Sequence, residues 1–307
     1  MGQVKAFKHV AVLMGGISAE RDISLRSGAA AAAGLRACGY AVTTMDLQSE
    51  HFTLPDGIDV VFLALHGTFG EDGKIQALLD TKGIPYTGSG AVASRTAMDK
   101  AAAKLAWQRA GVPTAPFCVL SEGACVSFPL PAVVKPVSQG SSIGVHLVRE
   151  EGEWAAALAD AFRYDARVMV EAYVPGRELT VGILDDEALP VVEIVAADGW
   201  YGFGAKYTPG QTRYVVPAEI SGQVARHLQK TALDAFRVLG CTGFGRVDFR
   251  LPPDGDPMVL EVNTIPGLTE TSLLPKAAAV AGICFGALCE RILVTAGCAG
   301  EQGGVDA

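Results

Sequence analysis

The hydrophobic pattern of this chain changes character partway along it. His9 to Met14 is a short apolar run closed by Gly15 and Gly16, and the alanine-rich stretch Ser24 to Cys38 reads as a helix ending at Gly39. Ala41 to Asp46 and Asp59 to His66 repeat the strand pattern, and Ile75 to Lys82 repeats the helix, stopped by Gly83. Strands alternating with helices predict a parallel, Rossmann-like α/β sheet over roughly the first 90 residues. One further helix is expected from Ala91 to Ala110, where Gly111, Pro113 and Pro116 end it and mark a linker.

From Ala132 onward the pattern shifts to short strands: AVVKP, IGVHLV, RVMVEAYV, ELTVGIL and PVVEIV, with one acidic helix around Glu150 to Phe162. This reads as an α+β lobe. A helix after Ser221 runs to Leu239, followed by two strands, a long polar loop and a final helix. The apolar stretch Ala277 to Cys289 contains glycines and is followed by Glu290 and Arg291, which suits a buried core helix. With 307 residues, 50% of them apolar and 19% charged, the chain is globular in composition and long enough for two or three lobes. No apolar run reaches the roughly 18 residues of a spanning helix.

Charge and cysteine usage narrow the classes. A formal charge of -8 without Lys/Arg clusters argues against a nucleic-acid partner, so any polyphosphate must be handled by a few well-placed groups. Seven dispersed cysteines without a C-x-x-C pair fit neither a disulfide frame nor a zinc site, and together with the absence of an export signal they lead to an expected cytoplasmic location. GSGAVA at Gly88 to Ala93 matches a dinucleotide fingerprint formally, but no acid follows at the ribose-binding distance, and a plain strand-to-helix turn is the preferred reading.

The chemistry concentrates in GRVDFRLPPDGDPMVLEVN, two strands joined by a turn. Arg246 and Asp248 share one face, as do Glu261 and Asn263. A hairpin symmetric about Asp254 and Gly255 sets Asp248 opposite Glu261 and Arg246 opposite Asn263, with Val247, Phe249, Leu260 and Val262 packed inward. Opposed carboxylates need a positive charge between them, and oxygen donors without His or Cys suit a hard cation such as magnesium. The same residues could also be scattered charges on a solvent-facing hairpin. Lys135 precedes a loop of Gly140, Ser141, Ser142 and Gly144 that could cradle phosphate or be a flexible turn; it is not a Walker loop. Glu171 and Glu178 flank a Pro-Gly turn, where they could read a base and a ribose or lie on the surface. His66 and Glu20 lie at the carboxyl ends of strands, the ligand-binding edge of α/β sheets.

The order of motifs resembles the D-alanine:D-alanine ligase family over nearly the whole chain. GGISAERDISLRSG, ALHGTFGEDGKIQALLD, YTGSG with AMDKAAAK, VVKPVSQGSSIGV, EAYVPGRELTV, AKYTPGQTRYVVPA, GFGRVDF and LEVNTIPGLTETSLLPK follow that family's blocks. The resemblance implies an ATP-grasp fold: a Rossmann-like domain at 1–96, then α+β lobes at 97–180 and 181–307 that enclose the nucleotide. It implies that Lys100, Lys135 and the loop of Ser141 and Ser142 contact ATP phosphates. Glu171 with the backbone of Ala172 and Val174 would read adenine, Glu178 would hold the ribose, and Trp200 would stack on the base. Asp248, Glu261 and Asn263 would carry two magnesium ions, with manganese as a substitute. Glu20, near His66, would bind the first D-alanine ammonium and form a hydrogen-bonded group with Ser141 and Tyr207. Ser272 and the backbone of Leu273 would take the second carboxylate, near Lys206, while Arg246 and the Gly267 N–H face the developing oxyanion.

The implied reaction joins two D-alanines through an acylphosphate, for cell-wall precursor synthesis, in a homodimer. Tyr207 resembles the dipeptide-forming members and points to an amine nucleophile; Gly202 and Gly204 stand where the family carries larger residues, in a lid loop. Three rivals remain open. Another ATP-grasp ligase would lack the pocket residues Glu20, Tyr207 and Ser272; an NAD-dependent oxidoreductase lacks its ribose acid; a two-lobed solute-binding protein leaves the acids at 248 and 261 unexplained.

Overall fold

The computed structural model describes residues 7–197 and 210–298. The first lobe is a parallel sheet in the order β2-β1-β3, formed by β1 (His9–Gly15), β2 (Ala41–Leu47) and β3 (Val60–Leu63). β1 is central and covered on both faces, so Val10 through Leu13 are all buried, the continuous apolar run that a parallel strand requires. Helix α1 (Arg21–Ala37) lies close against it because its inner residues are small: Ser24, Ser27, Gly28, Ala31 and Ala32. At Gly28 a Cβ would fall 2.4 Å from the Met14 side chain, so only glycine permits this approach.

The expected helix over 91–110 is two helices, α3 (Ala91–Met98) and α4 (Lys100–Ala110), following α2 (Lys74–Thr81). Asp99 breaks it: its backbone is extended, and its side chain accepts the Ala102 N–H at 2.9 Å as the cap of α4. The break re-aims Lys100, whose N–H pairs with Val137 O in the next lobe. GSGAVA is the plain turn, packed against Phe244 and bonded through Ser89 to Thr242.

The central lobe is an antiparallel sheet β4-β7-β5-β6 of Phe117–Ser121, Arg167–Ala172, Ala132–Pro136 and His146–Val148. Helix α5 (Trp154–Ala161) covers its outer face, over Ala132, Val134, Val168 and Val170. The third lobe is a sheet β11-β10-β8-β12-β13, with β9 (Glu187–Ala188) beside β8; its strands are Thr212–Val215, Val192–Ala196, Arg177–Leu184, Phe244–Leu251 and Met258–Asn263. Helix α6 (Gly222–Val238) and α4 cover its apolar face, with Trp107 donating to Ala235 O. A division at 180 would cut β8, which pairs with β12 along its whole length; the turn 173–176 is where the sheets change.

The stretch expected to form one final helix is two, α7 (Leu273–Val280) and α8 (Phe285–Val294), bent by 105°. Gly282 at φ 81° lies in the break, and both helices pack onto the first lobe, completing its core. No single helix among the described residues is long and apolar enough to cross a membrane.

Candidate active site

Strand alternation places one set of side chains in the cleft between the central and third sheets. Val133, Lys135 and Glu171 face it from β5 and β7, while Val134 and Val170 face the lobe's own core. Val145, Ala172, Tyr173, Val174 and Leu260 add apolar walls, and Lys100, Gln139, Ser142, Asp248 and Glu261 lie at its polar end. Glu171 sits between two ammoniums, Lys135 at 2.5 Å and Lys104 at 2.8 Å. Burial alone would raise its carboxyl pKa; the two lysines outweigh burial and hold it at about 2. Burial pulls the Lys104 ammonium below its usual range, and Glu171 opposes that. Glu171 Oε2 is fully buried against the Lys104 ammonium, which does not line the cleft. Glu178 is bound by Arg250 at 3.1 Å, and Arg250 also donates to Val174 O, fixing the turn between the two lobes.

The hairpin β12–β13 pairs Arg246 with Asn263 and Asp248 with Glu261, the expected register. A bulge then shifts it, so that Phe249 faces Val259 and Leu260 is the extra residue. Leu260 therefore lines the cleft instead of packing inward, and Val259 takes its place in the core. Asp248 accepts from Arg246 through both oxygens at 2.8 Å, from Thr180 at 2.6 Å and from Asn263 at 3.1 Å. Lys100 lies 3.3 Å from Glu261 and donates to Gln139 O at 2.7 Å. Side-chain cations thus compensate both acids. Two carboxylates and an amide are hard oxygen donors, and no cluster of three His, Cys, Asp or Glu among the described residues forms a closed protein cage. That partial set fits magnesium, which takes its remaining ligands from water and phosphate.

Glu261 also lines a second, more polar cleft, with Glu20, His66, Glu71, Ser141, Arg246, Gly267, Ser272 and Leu273. The Ser141 hydroxyl donates to Glu20 Oε1 across the boundary between the first and central lobes. Ser141 and Ser142 hold φ of 53° and 57°, left-handed backbone that non-glycine residues adopt at a cost of about 1–3 kcal/mol and that clusters at functional loops. Ser272 caps α7 without a side-chain cap bond; its hydroxyl accepts the Thr269 N–H at 3.0 Å and pairs with Thr269 Oγ1 at 2.8 Å. Ser272 and Leu273, at the N-terminus of α7, line the cleft, where helix N–H groups suit an anion.

His66 serves the scaffold. Its Nδ1–H donates to Ile265 O at 2.9 Å, and its Nε2 accepts from Ser27 at 3.0 Å, so both ring nitrogens are spent within the protein. Burial keeps the imidazole neutral. Glu71, beside it, accepts N–H bonds from Gly67 and Ile265; burial, then the Glu20 charge, push its carboxyl up to about 8.

The structure gathers Lys100, Lys135, Ser142, Glu171, Ala172, Val174, Glu178, Asp248 and Glu261 in one cleft and Glu20, His66, Ser141, Arg246, Asn263, Gly267, Ser272 and Leu273 in the other. Trp200, Lys206 and Tyr207 lie outside the described residues. Sequence reasoning missed Lys104, Arg250 and Glu71. Lys104 is four residues beyond Lys100 on one helix, and Arg250 is two beyond Asp248 on one strand, so each shares a face with an expected residue. Glu71 carried no comparable signal.

The model for the C-terminal part of D-ala D-ala ligases matches residues 106–294, and that for the N-terminal part matches 48–89. The D-alanine–D-alanine ligase of Methylacidiphilum infernorum is 49% identical over 286 residues, 93% of this chain and 94% of that protein. That of Geotalea uraniireducens is 47% identical over 296 residues, 94% and 96% of the two chains. The crystal structure of the Bacillus anthracis enzyme superposes with TM-score 0.84 at 34% identity, covering 94% of this chain and 97% of that one; its complex with ATP gives 0.83 at 33%. This chain belongs to the D-alanine–D-alanine ligase family.

Proposed function

We propose that the chain joins two D-alanine molecules into D-alanyl-D-alanine at the expense of ATP, releasing ADP and phosphate. The observation that carries this is the meeting of the two clefts at Glu261: an apolar slot with a cationic end opens into a polar chamber holding Glu20, Ser141 and Arg246. In this reading Val133, Val145, Val174 and Leu260 enclose the base, Glu171 accepts its amino group, and Lys100 and Lys135 neutralise phosphate oxygens. Magnesium, as two ions with manganese as a substitute, would be held by Asp248, Glu261 and Asn263 and would supply charge neutralisation on the phosphates.

Glu20 holds the first D-alanine ammonium, so that its carboxylate attacks the γ-phosphoryl group to give an acylphosphate; the protein's part is positioning and electrostatics. The second D-alanine docks its carboxylate on Ser272 Oγ and the Leu273 N–H, where the α7 dipole favours an anion. Its amino group attacks the acyl carbon, and Arg246 and the Gly267 N–H stabilise the oxyanion before phosphate leaves. Ser141, already donating to Glu20, offers a path for the amine proton, with Tyr207 as the third member of that group. Lys206 would assist at the second carboxylate or the phosphates, and Trp200 would stack on the base. The product serves cell-wall precursor synthesis, and ATP use supports a cytoplasmic location. A homodimer is proposed on the same footing and is tested by light scattering.

The test is phosphate release from ATP with magnesium, comparing D-alanine, L-alanine and D-alanine plus D-lactate, with the product weighed by mass spectrometry. Release with D-alanine alone and a D-alanyl-D-alanine mass are expected. Absence of release with D-alanine, from protein that binds ATP, would overturn the substrate assignment and leave a ligase of another acid and amine.

A further inference from the structure

Lys104 has no place in the chemistry above, yet it is fully buried, and lysine is almost never buried unless paired. Its ammonium lies 2.8 Å from Glu171, donates to Thr114 Oγ1 at 2.7 Å, and stands 5.5 Å from the centre of the Phe117 ring. Thr114 in turn donates to Val259 O at 2.8 Å, so Lys104 is tied into the third lobe's core edge through β13. Glu171 lines the cleft and Lys104 does not: the lysine grips the carboxylate from behind.

Two lysines share one carboxylate, and they are not equivalent. Lys135 lines the cleft, where nucleotide phosphates would draw it away from Glu171. Lys104, with no exposed surface, cannot leave. We propose that Lys104 is a positioning residue that fixes Glu171 as an acceptor-only carboxylate and thereby sets the cleft's preference for a 6-amino purine nucleotide over a 6-oxo one. An ionised carboxylate has about four lone-pair sites, of which the two lysines leave some for a donor in the cleft. A 6-amino group supplies that donor. A 6-oxo group presents an acceptor to an acceptor, and the mismatch is built-in rejection. Without Lys104, burial favours the neutral acid, which can donate, and the carboxyl loses the anchor that orients it.

This inference rests on the nucleotide reading of the cleft, and its test needs no D-alanine. Titration calorimetry with magnesium would measure ATP and inosine triphosphate binding to the full chain and to Lys104→Gln. The two ligands share ribose and triphosphate, so a general loss of fold weakens both alike and leaves their ratio unchanged. The wild-type chain is expected to favour ATP by at least about tenfold, the worth of one hydrogen bond to a charged group. Lys104→Gln is expected to bring that ratio below about threefold, mainly by weakening ATP. A variant that keeps the wild-type ratio overturns the role of Lys104. A wild-type chain that binds both alike overturns the reading of Glu171 at the base, and the Lys104 proposal with it. Should Lys104→Gln fail to fold, Glu171→Gln serves instead, since an amide can offer either a donor or an acceptor. Retention of the full ATP preference by Glu171→Gln would equally overturn the proposal.

Discussion

The two clefts that meet at Glu261 are built on opposite principles. In the nucleotide cleft nearly every charge is already answered within the protein: Glu171 by Lys104 and Lys135, Glu178 by Arg250, Glu261 by Lys100. All of them stand on strands or on α4. Apart from Arg246, Glu261 and Asn263 on the hairpin, the amino-acid cleft is assembled from termini and loops: Glu20 before α1, Ser141 in a left-handed loop, Gly267 and Ser272 before α7. Within it Ser272 gives α7 no side-chain cap bond. The first arrangement couples the site to stability, because removing one member strands a buried charge. The second keeps them separate, since loops and termini contribute little to the core and can be tuned for a ligand.

The largest effect that would test this contrast is Glu171→Ala. It leaves two lysines, one fully buried, without their shared carboxylate, and an expected loss of about 3–5 kcal/mol would be read as a lower urea midpoint. The pH dependence has a fixed sign. The folded pKa of about 2 lies below the ordinary value of 4.5, so this carboxylate contributes stability above pH 4.5 that is lost as pH falls toward 2. Glu171→Ala should lack that segment of acid sensitivity. Equal stability of variant and wild type would remove the coupling of this cleft to the fold.

Next in size is Arg246→Ala, at the seam of the two clefts. Arg246 is held by both oxygens of Asp248 and lines the amino-acid side, so its loss should lower kcat about 10²- to 10³-fold, as for one oxyanion donor. ATP binding should change far less. A loss confined to KM for ATP would assign Arg246 to the nucleotide cleft.

How far each cleft could be read from sequence follows the same contrast. The hairpin acids were legible because alternation on a strand is a strict rule, and it placed Arg246, Asp248, Glu261 and Asn263 on one face in the right register. The rule failed at Leu260, where a bulge inserts one residue and no sequence signal marks it. Asp99 was misread as helix interior because capping competes with an otherwise continuous helical pattern on either side. In the rest of the amino-acid cleft, beyond the hairpin residues Arg246, Glu261 and Asn263, alternation offered nothing. Glu20, Ser141 and Ser272 are far apart in sequence and belong to no periodic face, so only the resemblance to a family united them. Lys104 escaped because a lysine in a helix is ordinarily solvated, and its burial is a fact of tertiary packing.

A smaller effect is expected at Gly67, which lies in the loop after β3 at φ 69°. A Cβ there would fall 2.6 Å from Glu20 Oε2 and 3.1 Å from Ser18 Cβ. Gly67→Ala combines left-handed strain of about 1–3 kcal/mol with displacement of the Glu20 carboxylate. KM for the first D-alanine should rise, and ATP affinity measured without D-alanine should stay within about twofold. A parallel loss of ATP affinity would mean that the clefts are mechanically one.

The sharpest separation of stability from function compares two helix-capping serines. Ser221 caps α6 in the usual way, its hydroxyl accepting the Val224 N–H at 3.3 Å. Ser272 occupies the same position before α7, yet its side chain makes no cap bond and is turned to Thr269 and the cleft. Ser221→Ala should therefore cost about 1 kcal/mol of stability, the ordinary value of an N-cap, and leave KM for D-alanine unchanged. Ser272→Ala forfeits the bonds to Thr269 and should cost about 1 kcal/mol as well, but in addition KM for the second D-alanine rises about tenfold, the worth of one hydrogen bond to its carboxylate. Thermal melts paired with initial rates at varied D-alanine would read both quantities. An unchanged KM for the second D-alanine in Ser272→Ala would remove this hydroxyl from the substrate site, and the carboxylate would then have to be held by the backbone of Leu273 and the α7 dipole alone.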